Sequence, residues 1–144
     1  MDKRGVTLIE LIIVVAIIGI LAIIAVPAYI GQQKSAARTE AYSNLQNLRL
    51  LEEQYFAENG CYYMAGGPPP VPTDRTISGV ANIQAFLPGF KPGSSPSFSY
   101  KITTNSTGAG GGTASCFVAT ATGNSNSRVS GDIFTIDCNN TRNF

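Results

Sequence analysis

The chain has 144 residues, of which 44% are apolar and only 13% are charged, and it contains neither His nor Trp. Ten basic and nine acidic residues give a formal charge of +1, which argues against strong electrostatic capture of a polyanion. Because His is the commonest general base and metal ligand, the composition also disfavours an enzyme, and we predict no catalytic residue, metal site or cofactor.

Charged residues are nearly absent from a long stretch near the start of the chain. Within residues 6–33 the only charged side chain is that of Glu10, and sixteen apolar residues follow it without interruption. A helix over residues 6–30 would be about 37 Å long, enough to cross a hydrocarbon core of about 30 Å. Lys3 and Arg4 precede it, so the positive-inside rule predicts a cytoplasmic N-terminus with the rest of the chain outside.

Three interpretations of this segment are open: a single-span anchor, a cleaved secretory signal, or a helix that begins in the bilayer and ends elsewhere. A signal of residues 1–28 has some support, because Val26-Pro27-Ala28 offers small residues at the offsets for cleavage before Tyr29. Glu10 and a helical pattern that continues past this cut argue against the secretory signal.

The pattern beyond Gly31 predicts an amphipathic continuation of the helix. Its apolar positions recur at intervals of three and four residues: Ala37, Ala41, Leu45, Leu48, Leu51 and Tyr55. The charged residues are expected on other faces: Lys34, Arg38, Glu40, Arg49, Glu52 and Glu53. We therefore predict one helix over residues 6–58, with a stop at Asn59-Gly60.

The start of the chain resembles the precursor of a type IV pilin. Arg4-Gly5 is followed by Val6-Thr7-Leu8-Ile9-Glu10 and by an apolar run with Gly19 and Pro27, and the match extends over about residues 3–35. The resemblance implies that residues 1–5 are a leader, which a prepilin peptidase removes between Gly5 and Val6, and that the new amine of Val6 is methylated. The residue after the cut is usually Phe in this family and is Val here.

Glu10 needs a partner, because a carboxylate inside an apolar helix is costly when it is left unpaired. Cleavage would create a positive amine on Val6, which is four residues away on the same helical face. The same pair could form between chains and fix the axial register of bundled helices. The alternative is an interfacial acid near the helix N-terminus, which is favoured only by the helix dipole and by snorkelling of the carboxylate to the lipid headgroups.

Gly19 and Pro27 both weaken the helix, because proline lacks an amide hydrogen and glycine is a poor helix former. The resemblance implies that the stretch between them loses helical order in a filament. Equally open is that Gly19 permits close helix contact and Pro27 only bends the helix.

The residues after the helix predict a small sheet. A loop region over residues 59–97 contains the proline-rich segment 66–72, taken as a surface connection, and a short helix over residues 80–87. Residues 98–138 alternate apolar and polar side chains in three runs, separated by a glycine run at 108–112 and a polar loop at 123–131, as in an antiparallel meander of three or four strands. The predicted fold class is α+β: a long helix packed on this sheet, which is the pilin fold.

Three cysteines in a part of the chain outside the cytoplasm suggest one disulfide and one free thiol. In a hairpin centred on Ser127, Cys116 and Cys138 would lie opposite each other, so this pairing is favoured; Cys61 could instead pair with either. Pilins often close a C-terminal loop in this way. Asp132 and Asp137 fall short of the oxygen-rich set that calcium needs.

The sequence therefore predicts a structural subunit in three parts: leader 1–5, transmembrane and polymerisation segment 6–30, and globular head 31–144. Exposing the apolar run to water would cost on the order of tens of kcal/mol, so it must lie in lipid or among copies of itself. We predict a pilin that moves from the inner membrane into an extracellular filament for adhesion, twitching motility or DNA uptake.

Its expected partners are other copies through their N-terminal helices, the inner membrane, the prepilin peptidase and the pilus assembly machinery; no specific nucleic acid is predicted. Alternatives within the class are a minor pilin or a type II secretion pseudopilin. An alternative of another class is a membrane-anchored or secreted binding domain with residues 1–28 as its signal.

Overall fold

The computed structural model describes residues 6–62, 75–93, 96–106 and 114–144. In chain order the elements are α1 (Leu8–Asn59), β1 (Arg75–Ser78), α2 (Val80–Gln84), β2 (Phe98–Ser106), β3 (Ala114–Gly123) and β4 (Ile133–Asp137). The chain forms two compact units, Met1–Ala36 and Ala37–Phe144. The segments 66–72 and 108–112, predicted to be connections, lie outside the described residues.

The long helix predicted from the sequence is confirmed. α1 contains 52 residues and ends at Asn59. Gly60 then adopts a φ of 74°, and its N–H donates to the carbonyl oxygen of Phe56 at 2.7 Å. Glycine reaches this left-handed conformation without a steric penalty, which is why the helix stops here.

In the second unit, α1 packs one face against the core. Ala41, Leu45 and Leu48 are fully buried, as the spacing of apolar residues predicted. Glu52 was expected on another face, but it is also fully buried. Since it lies four residues after Leu48, it falls on the stripe that these side chains form, and its position in the helix outweighs its polarity.

The sheet has four antiparallel strands in the order β1-β2-β3-β4, which confirms the α+β pilin fold. A row of paired residues crosses all four strands: Ile77, Ile102, Ala119 and Ile136. All four are buried, whereas their strand neighbours Ser78 and Lys101 are exposed. The alternation predicted for residues 98–138 therefore gives the sheet one core face and one polar face.

The region predicted as loop over residues 59–97 contains more structure than expected. β1 lies within it and forms the edge of the sheet, and the expected helix is shorter, at Val80–Gln84. After this helix Leu87 is buried, whereas its neighbour Phe86 is 47% exposed. Ile83 is buried beside it in the core.

Candidate functional site

The apolar segment 6–30 offers the largest unburied apolar surface in the described residues. Its large apolar side chains are between 49% and 77% exposed. The most apolar 18-residue window of α1 has a mean hydropathy of 3.2, so the helix is long and apolar enough to cross a membrane. Such a surface requires lipid or other protein around it.

Glu10 and Thr7 together cap the N-terminus of α1. The N–H of Thr7 donates to Glu10 Oε2 at 2.8 Å, and the Thr7 hydroxyl donates to the same oxygen at 2.7 Å. In return, the N–H of Glu10 donates to Thr7 Oγ1 at 3.3 Å. This is a capping box, and sequence reasoning missed it although the pattern Thr-x-x-Glu before an apolar run signals it. The pairing of Glu10 with the amine of Val6 stays a prediction.

Gly19 and Pro27 both lie inside α1, where the helix is continuous. A Cβ atom built on Gly19 would meet no other described atom within 4 Å. Packing within one chain therefore does not require a glycine at position 19. The predicted loss of helical order and the two alternatives to it stay predictions.

The second unit contains a disulfide between Cys116 and Cys138, with Cα atoms 5.4 Å apart, as predicted. The register behind that prediction is wrong by one residue: β3 pairs Val118 with Asp137, and the Cys138 N–H donates to the carbonyl of Phe117. Because β4 ends at Asp137 and a turn begins there, the Cys138 side chain leaves the alternation of the sheet and still reaches Cys116. The third cysteine, Cys61, is a buried thiol.

The two carboxylates near the polar loop after β3 are bound by other groups of the chain. Asp132 accepts two hydrogen bonds from Arg38, to Nε at 2.8 Å and to Nη2 at 3.0 Å. The hydrogen bonds and charge of Asp132 raise the pKa of Arg38. Asp137 Oδ1 accepts the N–H groups of Asn139 and Thr141. Both carboxylates therefore stabilise the fold. The bidentate ion pair between Arg38 and Asp132 links α1 to this loop.

Two protein-family models match the chain, one at its start and one over most of the rest. A family model described as the prokaryotic N-terminal methylation motif matches residues 1–26. A second model, described as "Type IV minor pilin ComP, DNA uptake sequence receptor", matches residues 27–141. No solved structure matches the chain significantly.

Among curated proteins, the chain is 51% identical over 60 residues to the type IV major pilin protein PilA of Myxococcus xanthus (strain DK1622). This alignment covers 42% of the chain and only 27% of that relative. Type IV pilins are structural proteins that assemble into pili and are processed by prepilin peptidase. Since the second family model covers most of the chain, the chain belongs to the type IV pilins, in the family named for the minor pilin ComP.

Proposed function

We propose that the chain is cleaved between Gly5 and Val6, methylated on the amine of Val6, and polymerised through residues 6–30 into an extracellular filament. The observation that carries this proposal is the continuous apolar surface of that segment, whose large side chains are 49–77% exposed. The methylation motif matched over residues 1–26 supports the position of the cut. Residues 31–144 then form the head of the subunit.

Before assembly, the segment 6–30 crosses the inner membrane with its N-terminus in the cytoplasm. Lys3 and Arg4 support this orientation through the positive-inside rule. The disulfide supports an oxidising location for the second unit. The partners in this pathway are the prepilin peptidase, the assembly machinery and, in the filament, other copies of the chain. We assign no catalytic role to any residue.

The mass of the mature N-terminus tests the proposal. Filaments and membranes are purified from cells that make the protein, and the N-terminal peptide is measured by mass spectrometry. We expect a methylated Val6. A mature chain that starts at Tyr29 would instead support an exported binding domain, and one that retains Met1 would support a plain anchor. The abundance of this protein relative to all protein in the purified filaments distinguishes a major pilin, which is the main component, from a minor one.

We also propose that Glu10 of one subunit pairs with the amine of Val6 in the next and so sets the axial register. The capping box offers a competing role for Glu10, and a matched pair of variants separates the two. Thr7→Ala removes both hydroxyl contacts of the box but keeps the carboxylate, whereas Glu10→Ala removes the carboxylate. We expect Glu10→Ala to abolish filaments and Thr7→Ala to keep them. Equal loss in both variants would assign the effect to capping.

DNA binding is a second candidate function, because the model that matches residues 27–141 is described as a DNA uptake sequence receptor. Residues 1–5 hold two of the ten basic and one of the nine acidic residues, so the mature chain carries eight of each. Non-specific affinity for DNA grows with the number of phosphates neutralised, and a balanced chain therefore needs contacts that depend on sequence.

A competition experiment tests this candidate. Detergent-solubilised mature chain is mixed with labelled duplex DNA from the genome of its own cells and with duplexes of the same composition but shuffled sequence. Preferential retention of genomic fragments supports a DNA receptor. Equal retention of both, or retention of neither, contradicts sequence-specific binding.

A further inference from the structure

The turn that follows β4 is organised by Asp137. The N–H groups of Asn139 and Thr141 donate to Asp137 Oδ1 at 2.9 and 2.7 Å, and the Asn140 N–H donates to the Asp137 carbonyl oxygen at 3.0 Å. The Asp137 N–H in turn donates to the carbonyl oxygen of Thr141 at 3.1 Å. Cys138, within the turn, is bound to Cys116. These contacts hold the turn without using the side chains of Asn139 or Thr141.

The side-chain amide of Asn139 differs from most others in the second unit. Five asparagines donate Nδ2 to an acceptor within the chain at 2.8–3.2 Å: Asn44, Asn59, Asn82, Asn124 and Asn143. Asn139 is exposed, and its amide makes no hydrogen bond with the part of the chain that the structure describes. A group attached to this nitrogen would therefore displace no structural contact.

Asn139 also begins the triplet Asn139-Asn140-Thr141, which is the acceptor pattern of N-linked glycosylation. The triplet alone is a weak signal, and it occurs a second time at Asn105-Ser106-Thr107. Asn105, however, lies within β2 and pairs with Cys116 of β3. Asn139 is exposed in a turn, whereas the backbone of Asn105 is held in the pairing of β2 with β3. We propose that Asn139 is the attachment site of an N-linked glycan.

A cleft beside this turn has apolar side chains, Val118 and Ile136, as well as polar ones in its lining, and it can receive the first saccharide of such a glycan. The cleft has a volume of about 270 Å³, and Asp137 and Thr141 of the turn form part of its lining together with Thr135 and Arg142. The guanidinium of Arg142 lies 5.8 Å from the centroid of the Phe144 ring, and it forms no ion pair with a described residue. Its N–H groups and the threonine hydroxyls can therefore bond the hydroxyl oxygens of a sugar.

Attachment of the glycan requires a lipid-pyrophosphate-linked saccharide as the donor and a membrane glycosyltransferase as the catalyst. Nδ2 of Asn139 attacks the anomeric carbon of the saccharide, and a C–N bond forms as the C–O bond to the pyrophosphate breaks. The lipid pyrophosphate leaves with the electron pair of that bond. A base of the transferase takes one proton from Nδ2, and no oxidant or reductant is involved.

Peptide mass spectrometry of the protein from the cells that make it tests the proposal. After reduction of the disulfide, trypsin cuts after Lys101, Arg128 and Arg142, which places Asn105 and Asn139 on separate peptides, 102–128 and 129–142. We expect a glycan mass on peptide 129–142, with fragment ions that assign it to Asn139. Peptide 129–142 found only at its unmodified mass would overturn the proposal, whatever the state of Asn105.

Four variants fix the assignment. Asn139→Gln and Thr141→Ala should each abolish the added mass, since each breaks the triplet. Thr141→Ser and Asn140→Gly should retain it, because both keep the triplet; glycine also suits the left-handed φ of 61° at position 140. Added mass that survives in Asn139→Gln or Thr141→Ala would contradict N-linkage at this site. The readout is independent of filament formation, because membrane-bound chain gives the same peptides.

Discussion

At Gly123, where β3 ends, the backbone passes so close to the following loop that no side chain fits. A Cβ atom at this position would lie 1.8 Å from the carbonyl oxygen of Val129. At Gly89 the nearest atom to such a Cβ is Leu51 Cδ2 at 2.7 Å, the mobile end of a side chain. We expect Gly123→Ala to lower the free energy of unfolding by about 3 kcal/mol and Gly89→Ala by about 1 kcal/mol. Urea unfolding of the detergent-solubilised chain measures both, and an equal loss would contradict the argument.

Tyr100 makes the stability of the second unit sensitive to alkaline pH. Burial raises the pKa of its hydroxyl, which also accepts a hydrogen bond from Asn44 Nδ2 at 2.8 Å. Unfolded tyrosine ionises at about pH 10, so this contribution to stability is complete below that pH and is lost as the pH rises through the higher pKa of the folded state.

We expect Tyr100→Phe to weaken this alkaline loss of stability, while lowering the free energy of unfolding at neutral pH by about 1 kcal/mol because Asn44 loses its acceptor. Urea titrations across the alkaline range measure both effects. A Cys61→Ala background prevents exchange between the free thiol and the disulfide during these measurements. An unchanged pH profile in the Tyr100→Phe variant would assign the alkaline transition to other groups.

The residue-scale features that sequence reasoning missed depend on position relative to a helix end or a helix stripe. The Thr7–Glu10 capping box follows from where α1 begins, and that start was placed two residues early, at residue 6. Glu52 was assigned to a polar face because it is charged, yet its spacing from Leu48 puts it among the buried residues. In both cases the position of the residue in the helix, and not its chemical type, would have predicted its contacts.

The disulfide joins two elements, β3 and the turn after β4, across 22 residues of chain. In the chain-entropy model, closing a loop of this size contributes about 3 kcal/mol. We expect the double variant Cys116→Ala/Cys138→Ala to lose about that free energy of unfolding in urea. Cys61→Ala is the matched control, because it removes a cysteine that is not bridged, although it also leaves a small buried void. A double variant as stable as the control would contradict a stabilising role.

Elements could be predicted where they are long or alternate regularly. α1 follows from its apolar run and its three-and-four spacing, and β2, β3 and β4 from alternating side chains. β1 could not be predicted, since it has four residues and only one inward apolar side chain, Ile77, within a region rich in proline. Its position is fixed by pairing with β2, a contact far away in sequence that no local pattern reports.

At the scale of the whole molecule, the two compact units differ in whether they bury their apolar side chains. Ala37–Phe144 buries its own core of aliphatic and aromatic side chains between α1 and the sheet. Most of Met1–Ala36 is apolar, yet none of its described residues is buried. The first unit therefore depends on its surroundings for stability, and the second does not.

Removal of detergent tests this difference directly. Fully burying one large aliphatic side chain is worth about 1.5–3 kcal/mol, so leaving segment 6–30 in water costs on the order of tens of kcal/mol. We expect the mature chain, purified in detergent, to form large assemblies or to precipitate when the detergent is removed. A chain that begins at Ala37 should stay monomeric under the same conditions, because it retains the core and lacks the apolar segment. Light scattering after size-exclusion chromatography measures both, and a monomeric mature chain without detergent would contradict assembly through this segment.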